Sequence, residues 1–200
     1  GLLLLGNYSW YWLKYMKIHK IQGDISSEIA KSFKESVAID TEATGLQIPE
    51  RDKLSLIQIC GENTDVYIIQ PDRKNYNAPN LVSVLENEKI QKIGHFLRFD
   101  KSALEYFLKC KINNIFDTKI ASKICRTYTD SHGLKNLVQE FCNKNLDKKQ
   151  GSSDWNKNIN ELSEKQLEYA ANDVLFLHKI KTELEKMLIR ENRMDLYNRC

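Results

Sequence analysis

Proline and glycine are scarce, three and eight in 200 residues, too few for a collagen-like chain or a long flexible linker. Charge of one sign is scarce as well. Thirty basic residues against 27 acidic ones leave a net charge of +3, which permits a nucleic-acid partner but excludes a binder held by charge alone. The five cysteines, Cys60, Cys110, Cys125, Cys142 and Cys200, contain no C-x-x-C pair, so neither a zinc ribbon nor a dithiol redox motif is indicated. Free thiols in a reducing cytoplasm are expected. Long hydrophobic runs are missing too. The apolar stretch at residues 1–13, GLLLLGNYSWYWL, falls short of the roughly 20 residues of a membrane span. It also lacks the basic leader and small-residue cleavage site of a secretory signal, and no membrane partner is expected. Residues 1–15 read as an N-terminal apolar extension, either sequence upstream of a start at Met16 or a segment that packs at an interface.

What remains, residues 16–200, has the size and ordinary composition of one globular domain. Ser26 to Lys34 places Ile29, Ala30 and Phe33 at helical spacing behind an N-cap serine. Val37 to Ile39, Leu54 to Cys60 and Val66 to Ile69 read as three successive buried strands, a meander. The pattern then alternates: helix from Asn80 to Asn87, strand at Lys92 to Gly94, helix from Lys101 to Leu108. The second half is mostly helix, over Thr118 to Cys125, Leu134 to Phe141, and one long helix from Glu164 to Arg190 begun by a Ser163/Gln166 capping box. The expected fold is α/β, a mixed sheet flanked by helices. The polar stretch Asn143 to Asn160, with Gln150, Ser153, Asp154 and Trp155, is the longest loop, and loops of that length are commonly functional.

Asp40 and Glu42, in AIDTEATGL, end the first buried strand. With 27 acids in 200 positions, about three or four acid-x-acid pairs arise by chance, and the sequence contains four. Only Asp40/Glu42 lies at the end of an apolar strand, where two desolvated carboxylates repel unless a cation neutralises them. Asp100 stands where a strand gives way to a helix, a position that the helix dipole alone would favour. Asp173, in YAANDVLFL, is surrounded by apolar residues and needs a partner. Tyr169 precedes it by four residues, about 6 Å away on the same helical face. Four carboxylates converging without cations would be strongly self-repelling, so the set calls for metal ions.

IDTEATGL, FDKSAL and YAANDVLFLHKI resemble, in order and spacing, motifs I, II and III of the DEDDy 3'-5' exonucleases, the ribonuclease D branch of the DnaQ-like superfamily with the RNase H fold. The likeness runs from Ile18 to Arg190. FDTKIASKICRTYTDSHGLKNL and the segment Gln150 to Trp155 are most similar to the short nano-RNase C type, which degrades dinucleotides and very short oligoribonucleotides. Gly94-His95-Phe96 has Phe where many ribonuclease D relatives carry Asn, again as in the nano-RNase C type. That type usually continues past its last helix in a tail not found after Cys200.

The resemblance implies that Asp40, Glu42, Asp100 and Asp173 hold two divalent cations, Mg²⁺ or Mn²⁺, and that Tyr169 orients the attacking water. It further implies substrate contacts from Thr41, Leu46, His95, Phe96 and Arg98, with Leu46 as a wedge against the terminal base; plain packing is the competing reading for Leu46 and Phe96. The expected activity is metal-dependent 3'-5' hydrolysis of dinucleotides and short single-stranded RNA, with DNA left open, to nucleoside 5'-monophosphates. A homo-oligomer is expected, since a lone small domain neutralises few phosphates. The alternatives are a ribonuclease D-like enzyme trimming longer or structured RNA, and a non-catalytic nucleic-acid-binding module.

Overall fold

The computed structural model describes residues 15–147 and 149–200, and its first strand is one that the sequence does not announce. Strand β1 (Lys17–Gln22) is half exposed along its length and forms one edge of the sheet, so it has no apolar run to betray it. Helix α1 (Ser27–Ser32) follows, with the Ser26 hydroxyl accepting from the Ile29 amide. Strands β2 (Ser36–Ala43), β3 (Leu54–Cys60) and β4 (Asp65–Gln70) form the expected antiparallel meander. Helix α2 (Pro79–Glu86) leads to β5 (Gln91–Gly94), parallel to β2, and then to α3 (Leu97–Leu108). A second unannounced strand, β6 (Ile115–Asp117), is only three residues long and forms the other edge.

The rest is helical: α4 (Thr118–Cys125), α5 (Leu134–Cys142), two short 3₁₀ turns at Lys149–Ser152 and Ile159–Glu161, then α6 (Glu164–Leu175), α7 (Leu177–Arg190) and α8 (Met194–Asn198). The capping box at Ser163 and Gln166 is present. The single long helix expected from Glu164 to Arg190 is instead two, broken at Phe176 (φ −99°, ψ −4°). With neither proline nor glycine at the break, the sequence holds no local signal for it.

The sheet order is β1-β4-β3-β2-β5-β6. Alternation along the strands splits the core in two. Ala38, Leu56, Cys60, Ile68 and Ile93 pack under α4 to α7, while Val37, Ile39, Ile57, Ile59 and Ile69 pack under α1 to α3. All five cysteines are free thiols. Among the described residues no helix is long and apolar enough to cross a membrane. The N-terminal apolar extension lies, apart from Tyr15, outside the described residues.

Candidate active site

The acids meet where β2 runs out of the sheet. Asp40 and Glu42 are two apart on β2 and so project to one face, the face on which α6 packs. A register shift between Glu42 and Ala43 interrupts the β2–β3 pairing immediately beyond them, as bulges beside active sites commonly do. From α6, Asp173 brings a third carboxylate, and one oxygen from each of the three lies within 4.8 Å of the others. Asp100 arrives from the opposite layer, in the first turn of α3. Its carboxyl is a hydrogen-bond neighbour of Asp40 and accepts from the Thr41 hydroxyl, which points to that other face.

Burial dominates the electrostatics of this cluster. It pushes the Asp40 carboxyl well above the usual range, helped by the charges of Asp100, Asp173 and Glu42. Glu42 is raised in the same way by burial and by Asp173. Asp100 is lifted to about 7 by burial against the opposing bond from Thr41, and Asp173 is lifted to about 7 by burial. Carboxyls buried this closely hold their protons more tightly than free ones unless positive charge joins them. Compact carboxylate oxygens are the donors that Mg²⁺ and Mn²⁺ accept, so the residues present fit a divalent cation.

Tyr169, one turn before Asp173 on α6, feels the charges of Asp173, Glu42 and Asp40, and burial with those charges holds its phenol protonated far above neutrality. The long loop seats it. A Cβ added at Gly151 would lie 2.7 Å from the Tyr169 hydroxyl oxygen, so only glycine allows that approach. The Trp155 ring lies 6.0 Å from the Tyr169 ring, and the Trp155 carbonyl accepts from Ser55 on β3. An open cavity of about 160 Å³ is lined by Tyr169 and Asp173 together with Gln150, Glu168 and Asn172. A larger hollow of about 450 Å³, walled by Ser36, Glu62 and His178, contains none of the expected site residues.

Residues 18–189 match the 3'-5' exonuclease family. The chain belongs to that family. Among solved structures, this chain is similar to Brucella melitensis NrnC bound to pGG, at 41% identity and a TM-score of 0.86 over 92% of this chain and 88% of that one. The same Brucella protein with bound Mg²⁺ matches at 40% identity and a TM-score of 0.84, covering 92% and 88%. Ribonuclease D of Bartonella henselae is 33% identical over 141 residues, 70% of this chain and 34% of the relative. The chain thus spans about a third of the length of the ribonuclease D relatives it matches.

The residues expected on the substrate side of the site differ in their surroundings. Leu46 is 86% exposed at the tip of the turn that follows β2. That turn closes on Asp52, which accepts from the Gln47 amide at 2.9 Å and leaves no room for a Cβ at Gly45. Phe96 is half exposed in a left-handed conformation (φ 57°), with the Lys119 ammonium 4.3 Å from its ring centre. Arg98 is exposed on α3. Two expected substrate contacts are otherwise engaged. Thr41 is buried and its hydroxyl is committed to Asp100. His95 has Nδ1 2.9 Å from Thr118 Oγ1, and burial lowers it to about 4, so it is neutral at physiological pH.

Two residues escaped the sequence reading. Asp117 accepts from the amides of Phe96 and Leu97 and from those of Lys119 and Ile120, so one carboxylate holds the entry to α3 and caps α4. Gln58 is fully buried on β3 with its amide turned toward Asp40 and Glu42. A glutamine inside the otherwise apolar stretch LIQIC was the available signal.

Proposed function

We propose that this chain is a metal-dependent 3'-5' exoribonuclease that degrades dinucleotides and short single-stranded RNA to nucleoside 5'-monophosphates. The observation that carries it is the meeting of Asp40, Glu42 and Asp173 within 4.8 Å of one another, with Asp100 against Asp40 and Tyr169 alongside. The likeness to a Brucella NrnC bound to pGG supports the short substrate.

Asp40, Glu42, Asp100 and Asp173 would hold two divalent cations, Mg²⁺ or Mn²⁺. When bound, the cations activate water and offset the charge that develops on the scissile phosphate. Tyr169, kept protonated, serves as a hydrogen-bond donor that orients the water and not as its base. Thr41 acts through Asp100, holding that carboxyl toward the other three. At the open rim, Leu46 wedges against the terminal base, Phe96 offers a stacking face and Arg98 reaches a phosphate. The free thiols fit action in the cytoplasm, and a second copy of the chain would close the site beyond the second nucleotide.

The test is hydrolysis of 5'-labelled dinucleotide, 7-mer and 20-mer RNA with Mn²⁺ at fixed salt, alongside the mass in solution. With a net charge of only +3, remote phosphates add little binding, so kcat/KM for the dinucleotide is expected to equal or exceed that for the 7-mer. A rate that climbs steadily with length would replace this reading by ribonuclease D-like trimming of longer RNA. A particle with the mass of one chain would remove the homo-oligomer.

A further inference from the structure

Gln58 stands directly opposite Asp40 in the β2–β3 pairing, so the two side chains share one face and Glu42 is the diagonal neighbour. Its neighbours on that face, Leu56 and Cys60, belong to the apolar core. The carboxamide nitrogen donates to Glu42 Oε1 at 3.1 Å, to Asp40 Oδ2 at 3.4 Å and to the Ala170 carbonyl of α6 at 3.3 Å. Ala170 lies between Tyr169 and Asp173 in the chain, so one amide joins the acids of β2 to the helix that carries the other site groups. In this orientation the Gln58 Oε1 is buried without a hydrogen-bond partner. A buried carbonyl left unpaired is unfavourable, and an apolar side chain of similar length would fill the space without it. Packing alone does not call for glutamine here.

We infer that Gln58 is a positioning residue for the cation site: its carboxamide fixes the spacing of the Asp40 and Glu42 carboxylates relative to α6 and so sets the affinity for divalent metal. The inference rests on the exonuclease reading only in taking these acids as the metal site. Groups that orient ligating carboxylates typically change metal affinity about ten- to hundredfold when removed.

The decisive measurement is calorimetric titration of Mn²⁺ into metal-stripped wild type, Gln58→Leu and Gln58→Met, without substrate. Both variants are expected to bind Mn²⁺ about ten- to hundredfold more weakly, with the metal-free Tm unchanged or higher. In dinucleotide hydrolysis the Mn²⁺ concentration for half-maximal rate should rise by the same factor while KM for the dinucleotide stays within about twofold. Mn²⁺ affinity equal to wild type in both variants would overturn the inference. So would failure of both variants to fold, since the amide would then serve the fold rather than the acids; if only the leucine variant fails, the methionine variant decides. A wild type that binds Mn²⁺ yet does not cut the dinucleotide would overturn the proposed function, and the affinities would still judge Gln58.

Discussion

Asp173 concentrates the tension of the site in one side chain. Burial holds its folded-state pKa at about 7, against about 3.9 in an unfolded chain. The folded protein therefore binds a proton more tightly than the unfolded one. That contribution to stability is fully present below about pH 4 and is lost as the pH rises through about 7. The whole interval corresponds to on the order of 4 kcal/mol, shared with three neighbouring acids. Asp173→Asn, stripped of metal with EDTA, should melt close to wild type at pH 4 and about 5 °C or more above it at pH 8. Subtracting the two melting curves cancels the opposite trend of His95 and His178, which burial holds neutral with pKa values lowered to about 4. A wild-type-to-variant gap that does not change with pH would mean that Asp173 is not electrostatically frustrated. The same substitution should abolish hydrolysis.

At the level of elements, the site depends on how helices are started. Helix α3 must begin close behind β5 for Asp100 to reach Asp40, and Phe96 enters it in a left-handed conformation that a bulky residue rarely adopts. Four hydrogen bonds, donated by backbone N–H groups to the Asp117 carboxylate, hold that turn and the start of α4 together. Asp117→Ala should therefore cost about 2 to 3 kcal/mol, more than a simple N-cap. The expected Tm is lower by about 5 to 10 °C, and the rate of dinucleotide hydrolysis should fall with it as α3 loosens. An unchanged Tm would show that the turn is fixed by packing alone. The break at Phe176 matters in a different way. It ends α6 at Leu175, two residues after Asp173, while both helices remain on the same core.

For the whole molecule, the feature that decides its behaviour is that the acids come from both layers. Asp40, Glu42 and Asp173 face one core, and Asp100 reaches them from α3 in the other. A cation held by all of them would tie the two layers across the end of β2, and the unfolded chain cannot reproduce that arrangement. Binding to the folded state alone stabilises by about 2.7 kcal/mol at a hundred times the dissociation constant. Mn²⁺ at that excess should raise the melting temperature of the whole cooperative transition by about 5 to 10 °C. The rise should be reversed by EDTA and absent in Asp40→Asn. A rise of the same size in that variant would place the cation elsewhere.

The meander was legible because its strands are largely buried and carry β-branched or apolar runs. The edge strands β1 and β6 were not, because a half-exposed strand of three to six residues carries no such run. Asp40, Glu42, Asp100, Tyr169 and Asp173 could be named from residue type, spacing and likeness to known motifs. Sequence by itself thus determined the inventory of chemical groups and the elements that bear them, since both are local properties of the chain. Only the tertiary structure decided that the Thr41 hydroxyl is committed to Asp100, that Asp117 governs two helix starts, that Gly151 seats Tyr169 and that Gln58 bridges β2 to α6. Apart from the local cap that Asp117 gives to Lys119 and Ile120, these contacts join residues 16 to 112 positions apart. Such contacts form only when the sheet order and the packing of helices on its two faces bring the partners within hydrogen-bond reach, and no local periodicity encodes that proximity.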